Sequence, residues 1–205
     1  MSATQYRYRL TEEICRWAFE VALQGRPNWF LAFTNPTAGP WKRLMAPDEG
    51  GAAGEVHRFE REETRPDLVL VNDALEVVVI LEAKDDVAKL RAPDQVQKTA
   101  AMMTRMSALL ATKADNPSWG RRAEYSVCAG LLWGATQPVG AAVREQLDAL
   151  YRTALESAPV LAEGPALFVE CVRDVDDSIV CVPHETHLRA DDSDWAASLV
   201  ESLGG

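Results

Sequence analysis

Two short apolar runs stand close together in the first half of the chain, Leu68-Val69-Leu70-Val71 and Val77-Val78-Val79-Ile80-Leu81. Both are apolar at consecutive positions, which suits strands covered on both faces. Asn72-Asp73-Ala74 supplies turn chemistry between them, so the pattern predicts a hairpin. Upstream, Ile14, Trp17, Ala18 and Val21 recur at i, i+3, i+4 and i+7, predicting an amphipathic helix over 11–24. Thr11 suits its N-cap, and Gly25 with Pro27 suits its end. Downstream, Val96, Ala100, Met103 and Leu110 mark one side of a helix over 93–112, with Pro93 in its first turn. A buried strand is expected over 125–133, a helix over 138–156, and a late hairpin of 166–172 with 179–182 around Asp174-Val175-Asp176-Asp177. Residues 56–61 alternate like an edge strand, 34–54 form a long loop, and 191–205 read as a short helix or tail. The fold class implied is α/β, a mixed central β-sheet of about four to six strands flanked by helices.

Charge changes this picture at three positions. Asp67 opens the first strand, and Glu82 and Lys84 close the second. Charge in an apolar strand is costly unless it is paired or put to use. Side chains alternate along a strand, so Glu82 and Lys84 share a face. A turn with an even number of residues puts Asp67 across from Ile80, diagonal to Glu82. Such neighbours lie roughly 7–8 Å apart, within reach of a shared ion. Two carboxylates suit a hard cation such as Mg2+, and the backbone carbonyl of Ala83 is available as a further ligand. Lys84 then faces the attacking water or the phosphate, where its charge stabilises in-line phosphoryl attack.

Pro66-Asp67, fourteen intervening residues, and Glu82-Ala83-Lys84 together resemble the PD-(D/E)xK nuclease superfamily, which includes many restriction endonucleases. The resemblance runs over 11–133 in the order of elements and implies a restriction-endonuclease-like core. It places Asp67, Glu82 and Lys84 around Mg2+ as the catalytic set. It implies a glutamate from the early helix, Glu20 first and Glu13 second. It also implies a glutamine after the lysine, Gln95 or Gln97. The activity implied is Mg-dependent endonuclease hydrolysis of double-stranded DNA, most simply as a Type II restriction enzyme. Such an enzyme works as a homodimer, with a cognate methyltransferase in the same system. Two alternatives stay open: a repair, recombination or phage-defence nuclease with structural specificity, and a catalytically silent binding subunit of the same fold.

Candidate DNA contacts are Trp41-Lys42-Arg43 in the long loop, Arg65 beside the motif, and Arg121-Arg122. His184 and His187 lack visible partners for a zinc site, and the aspartates of 174–177 lack EF-hand spacing. The net charge of -10 weighs against nucleic acid, yet it is uneven. Residues 1–91 carry 12 Lys+Arg against 15 Asp+Glu, 92–140 carry 5 against 3, and 141–205 carry 4 against 13. The acidity is concentrated in the last third, leaving the first two-thirds able to face DNA. At 205 residues a single domain is expected, 11–133 as catalytic core and 138–205 as a helix, hairpin and acidic tail. No apolar run is long enough to span a membrane, and the N-terminus lacks a signal-peptide core. Cys15, Cys128, Cys171 and Cys181 form no CxxC pair and read as reduced cysteines of a cytoplasmic protein.

Overall fold

The computed structural model describes residues 10–26, 28–34, 66–101, 120–122, 124–135, 137–156, 167–174, 176, 178–185, 197–199, 201 and 203. Helix α1 spans Glu12–Leu23, and strand β1 spans Phe30–Thr34. The predicted hairpin is β2, Leu68–Asn72, and β3, Val77–Lys84. Helix α2 is one turn, Val87–Leu90, and α3 covers 93–101. Strand β4 spans Ser126–Ala135, helix α4 spans Ala141–Glu156, and the late hairpin is β5, Leu167–Arg173, and β6, Ile179–Glu185.

The six strands form one sheet in chain order, β1-β2-β3-β4-β5-β6. The β3–β4 and β4–β5 pairs are parallel and the others antiparallel, so the sheet is mixed, as expected. The parallel pairs need crossovers, which α2, α3 and α4 supply. Strand alternation sends Val78, Ile80, Leu131, Trp133 and Phe168 to one face, where Leu90, Val96, Leu147 and Tyr151 cover them. Val77, Val79, Leu81, Ala83 and Leu132 go to the other face, under Cys15, Phe19, Leu23, Leu199 and Leu203. The sheet thus lies between two apolar layers, which explains why β2 and β3 read as continuous hydrophobic runs.

Three sequence expectations need correction. In α1 the buried positions are Cys15, Arg16, Ala18, Phe19 and Leu23, while Trp17 and Val21 are 60 % and 47 % exposed. Of the predicted stripe, Ala18 is buried and Ile14 packs against the core, but the rest of the buried face is Cys15, Phe19 and Leu23 in place of Trp17 and Val21. At Gly134 a Cβ would lie 2.9 Å from Cys15 Sγ and Leu10 Cβ. Second, the hairpin register pairs Val69 with Ile80 and Asn72 with Val77, so Ile80 does not face Asp67. The turn holds four residues, 73–76, an even number as expected, but the register is two residues further along. Asn72 Oδ1 accepts the N–H groups of Ala74 and Leu75, and Glu76 takes φ 52°, which together set this turn. Third, the helix over 138–156 starts later, after Gly140. The edge strand at 56–61, most of the loop at 34–54, and the end of the helix over 93–112 lie outside the described residues.

Candidate functional site

Asp67 lies just before β2, and its N–H donates to Leu81 O at 3.0 Å. Its side chain is almost fully buried, with Oδ2 accepting from Ala83 N at 2.7 Å. This contact crosses the mouth of the hairpin and brings Asp67 against Glu82-Ala83-Lys84. Glu82 is 4 % exposed, near the end of β3. Its Oε1 accepts from Lys84 Nζ at 2.5 Å and from Gln95 Nε2 at 2.8 Å. Gln95 sits on α3 and also reaches Thr99 Oγ1 at 3.0 Å. Of the two glutamines expected after the lysine, Gln95 is the one that reaches Glu82. Gln97 is exposed and makes no such contact.

The early helix contributes a carboxylate, but from another position. Glu12 Oε2 lies 3.6 Å from Lys84 Nζ, and Glu12 Oε1 accepts from Arg16 Nη1 at 3.0 Å. Arg16 Nη1 also bonds Asp67 Oδ1 at 2.8 Å in a buried pair. Glu20 sits two turns further on, lining an open groove of about 470 Å³ with Trp17, Val21, Trp29 and Phe30. Glu13 is exposed on the outer side of the helix. The sequence reading missed Glu12 and Arg16. Their signal was an i, i+4 charge pair flanking Cys15, one position off the apolar stripe first drawn.

The electrostatics show a site with spare negative charge. Burial, then the neighbouring Asp67 carboxylate, push the Glu82 carboxyl up to about 7, against the pull of Lys84. Burial disfavours the Lys84 ammonium, but Glu82, Asp67 and Glu12 outweigh it and hold its pKa above the usual lysine value. Glu82 Oε2 is buried with no hydrogen-bond partner among the described residues, an expensive state for an acceptor.

That ammonium stands where a cation would. Its oxygen neighbours are Glu82 Oε1 at 2.5 Å, Ala83 O at 2.8 Å, Glu12 Oε2 at 3.6 Å and Asp67 Oδ2 at 3.8 Å. Hard divalent cations take such oxygens and keep several waters. The unpartnered Glu82 oxygen adds a further acceptor, so the donor set fits magnesium. Among the described residues no three His, Cys, Asp or Glu side chains close into a ready-made metal cage. Two carboxylates and a carbonyl, with Glu12 further out, are what these residues would offer such an ion.

The paired arginines occupy the opposite end of the sheet. Arg121 and Arg122 lie in a 3-10 turn, Gly120–Arg122, ahead of β4, and both bond Asp73 in the hairpin turn. Tyr125 Oη donates to the same carboxylate at 3.1 Å. Arg122 and Tyr125 contacts draw the Asp73 pKa down to about 2. Both arginines are held by the one Asp73 carboxylate, and β3 separates them from Lys84 by its whole length, roughly 25 Å at 3.3 Å per residue. Arg121 and Arg122 therefore do not line this site. Trp41, Lys42, Arg43 and Arg65 lie outside the described residues.

Comparison with known proteins gives no matching family model, no matching curated protein and no matching solved structure. Among the described residues no helix is long and apolar enough to cross a membrane.

Proposed function

We propose that this chain is a metal-dependent nuclease that hydrolyses phosphodiester bonds of double-stranded DNA, built on a restriction-endonuclease-like core. The observation that carries this reading is the convergence of Asp67, Glu82 and Lys84, with Gln95 and Glu12, at the carboxyl end of a buried strand. Ligands of open α/β sheets bind at those carboxyl ends. The buried Glu82 oxygen that has no partner among the described residues is available to the metal ion.

Asp67, Glu82 and the Ala83 carbonyl are the groups that would hold Mg2+, which supplies charge neutralisation at the scissile phosphate. Arg16 and Ala83 N fix the Asp67 carboxylate from both sides. Gln95 fixes Glu82. Lys84, released from Glu82, orients the attacking water and offsets the charge that develops on phosphorus oxygens. Cleavage of both strands calls for two such sites, hence a homodimer. Within this reading the enzyme is a Type II-like restriction nuclease with a cognate methyltransferase. Its free Cys15, Cys128, Cys171 and Cys181 suit the reducing cytoplasm.

The test is digestion of a defined plasmid with and without magnesium, repeated with Lys84→Ala. Discrete magnesium-dependent bands are expected, with a loss of about 10²-fold or more in the variant while its circular dichroism stays native. Smears or junction-specific nicks would point instead to a structure-specific repair or defence nuclease. Full activity in the variant removes Lys84 from the chemistry. A folded wild type that binds DNA without cutting it is a silent subunit.

A further inference from the structure

The rows that hold Glu82 and Lys84 continue across the sheet through buried residues. Lys84 pairs in register with Trp133 on β4, and Trp133 with Glu170 on β5. Glu82 is likewise in line with Leu131, Phe168 and His184, the last on β6. By alternation all of these face the α3–α4 side. Glu170 is fully buried on that face. Its Oε1 accepts from Trp133 Nε1 at 3.1 Å and from Val139 N at 2.8 Å. Its Oε2 lies 3.3 Å from His184 Nε2. A carboxylate is acceptor-only, so His184 Nε2 is the donor. Burial opposes the Glu170 charge, but His184, Val139 N and Trp133 Nε1 outweigh it and lower its pKa.

We propose that His184, oriented by buried Glu170, is a phosphate-contacting residue of the same DNA site. This rests on the nuclease reading above. Nε2 is committed to Glu170, and the other ring nitrogen, Nδ1, has no partner among the described residues. His184 is one-fifth exposed, so Nδ1 can meet a ligand at this rim. As the imidazolium it donates from Nδ1 to an anionic oxygen while Glu170 holds the charge from behind. Three strand spacings separate it from Glu82, about 14 Å. That is too far for the bond being cut and close enough for another phosphate of the same backbone. Glu170 is the positioning residue: its carboxylate fixes the ring through Nε2. The other charged group tied to this corner is Arg144 of α4, whose guanidinium donates to Val139 O at 2.6 Å.

Phosphate contacts release counterions, so each adds about 1 to the slope of log affinity against log salt. The experiment is fluorescence anisotropy of a labelled DNA duplex in EDTA at pH 6, across a salt series. It compares wild type, His184→Gln and Glu170→Gln. Gln at 170 keeps an acceptor for Trp133 and Val139 but removes the charge. The expected result is a slope lower by about 1 in both variants, with native circular dichroism. An unchanged slope in folded His184→Gln overturns the proposal while leaving the nuclease reading intact. A lowered slope in His184→Gln alone overturns the positioning role of Glu170. Absence of duplex binding in the wild type overturns both this proposal and the function it rests on.

Discussion

Replacing Glu82 with Gln isolates the charge that burial most disfavours. The carboxyl is held at about 7, against an ordinary value of 4.5, first by burial and then by Asp67. The folded protein therefore binds this proton more tightly than the unfolded chain does. Its stabilisation is complete below pH 4.5 and is lost as pH climbs through 7. At about 1.4 kcal/mol per pH unit, the loss over that interval is ~3 kcal/mol. Glu82 is 4 % exposed, so solvent screening takes little from it. Gln keeps an oxygen for Lys84 and Gln95 but has no proton to lose. Urea denaturation in EDTA should show Glu82→Gln gaining on wild type by ~2 kcal/mol between pH 5.5 and 8. Magnesium should reverse the order at pH 8, raising the wild-type midpoint and leaving the variant unmoved. A wild-type-to-variant difference that stays constant with pH would refute the argument, because it would mean that Glu82 is already ionised at pH 5.5.

The remaining predictions are simpler. Gly134→Ala puts a methyl 2.9 Å from Cys15 Sγ and Leu10 Cβ and 3.2 Å from Asp85 O; unfolding by urea should show a loss of about 1–3 kcal/mol, and native stability would mean that α1 yields easily. Arg121→Ala and Arg122→Ala should leave plasmid cleavage and duplex affinity unchanged, since both arginines are paired with Asp73 at the far end of the sheet. A drop in affinity would bring that end into the DNA contact.

Much of the architecture was legible because it rests on chain-local patterns. Val77–Leu81 reads as a covered strand from composition alone, and Asp67, Glu82 and Lys84 stand out because charge there has no apolar excuse. Gln95 was within reach because α3 follows the lysine closely. What escaped depends on how elements meet. The phase of α1 is only partly legible: Trp17 reads as core, whereas the helix buries Cys15, Ala18, Phe19 and Leu23. That error hid Glu12 and Arg16, which reach the rim from the true packing face. The register slipped by two because Asn72 folds back on its own turn, an interaction that composition does not count. Arg121 and Arg122 looked available to DNA because their partner, Asp73, is nearly 50 positions away in sequence. The link between Glu170 and His184 joins two strands around an acidic turn and carries no motif at all.

The hydrogen bond from Ala83 N to Asp67 spans only sixteen positions of chain. Closing so short a loop costs little entropy, and hairpins form in microseconds. The two acids and the lysine therefore meet through local zipping, whereas Arg16 must arrive from fifty-one positions away. The charged cluster is in this sense a portable cassette. Its spacing is written into one hairpin, and the remainder of the molecule serves to bury it.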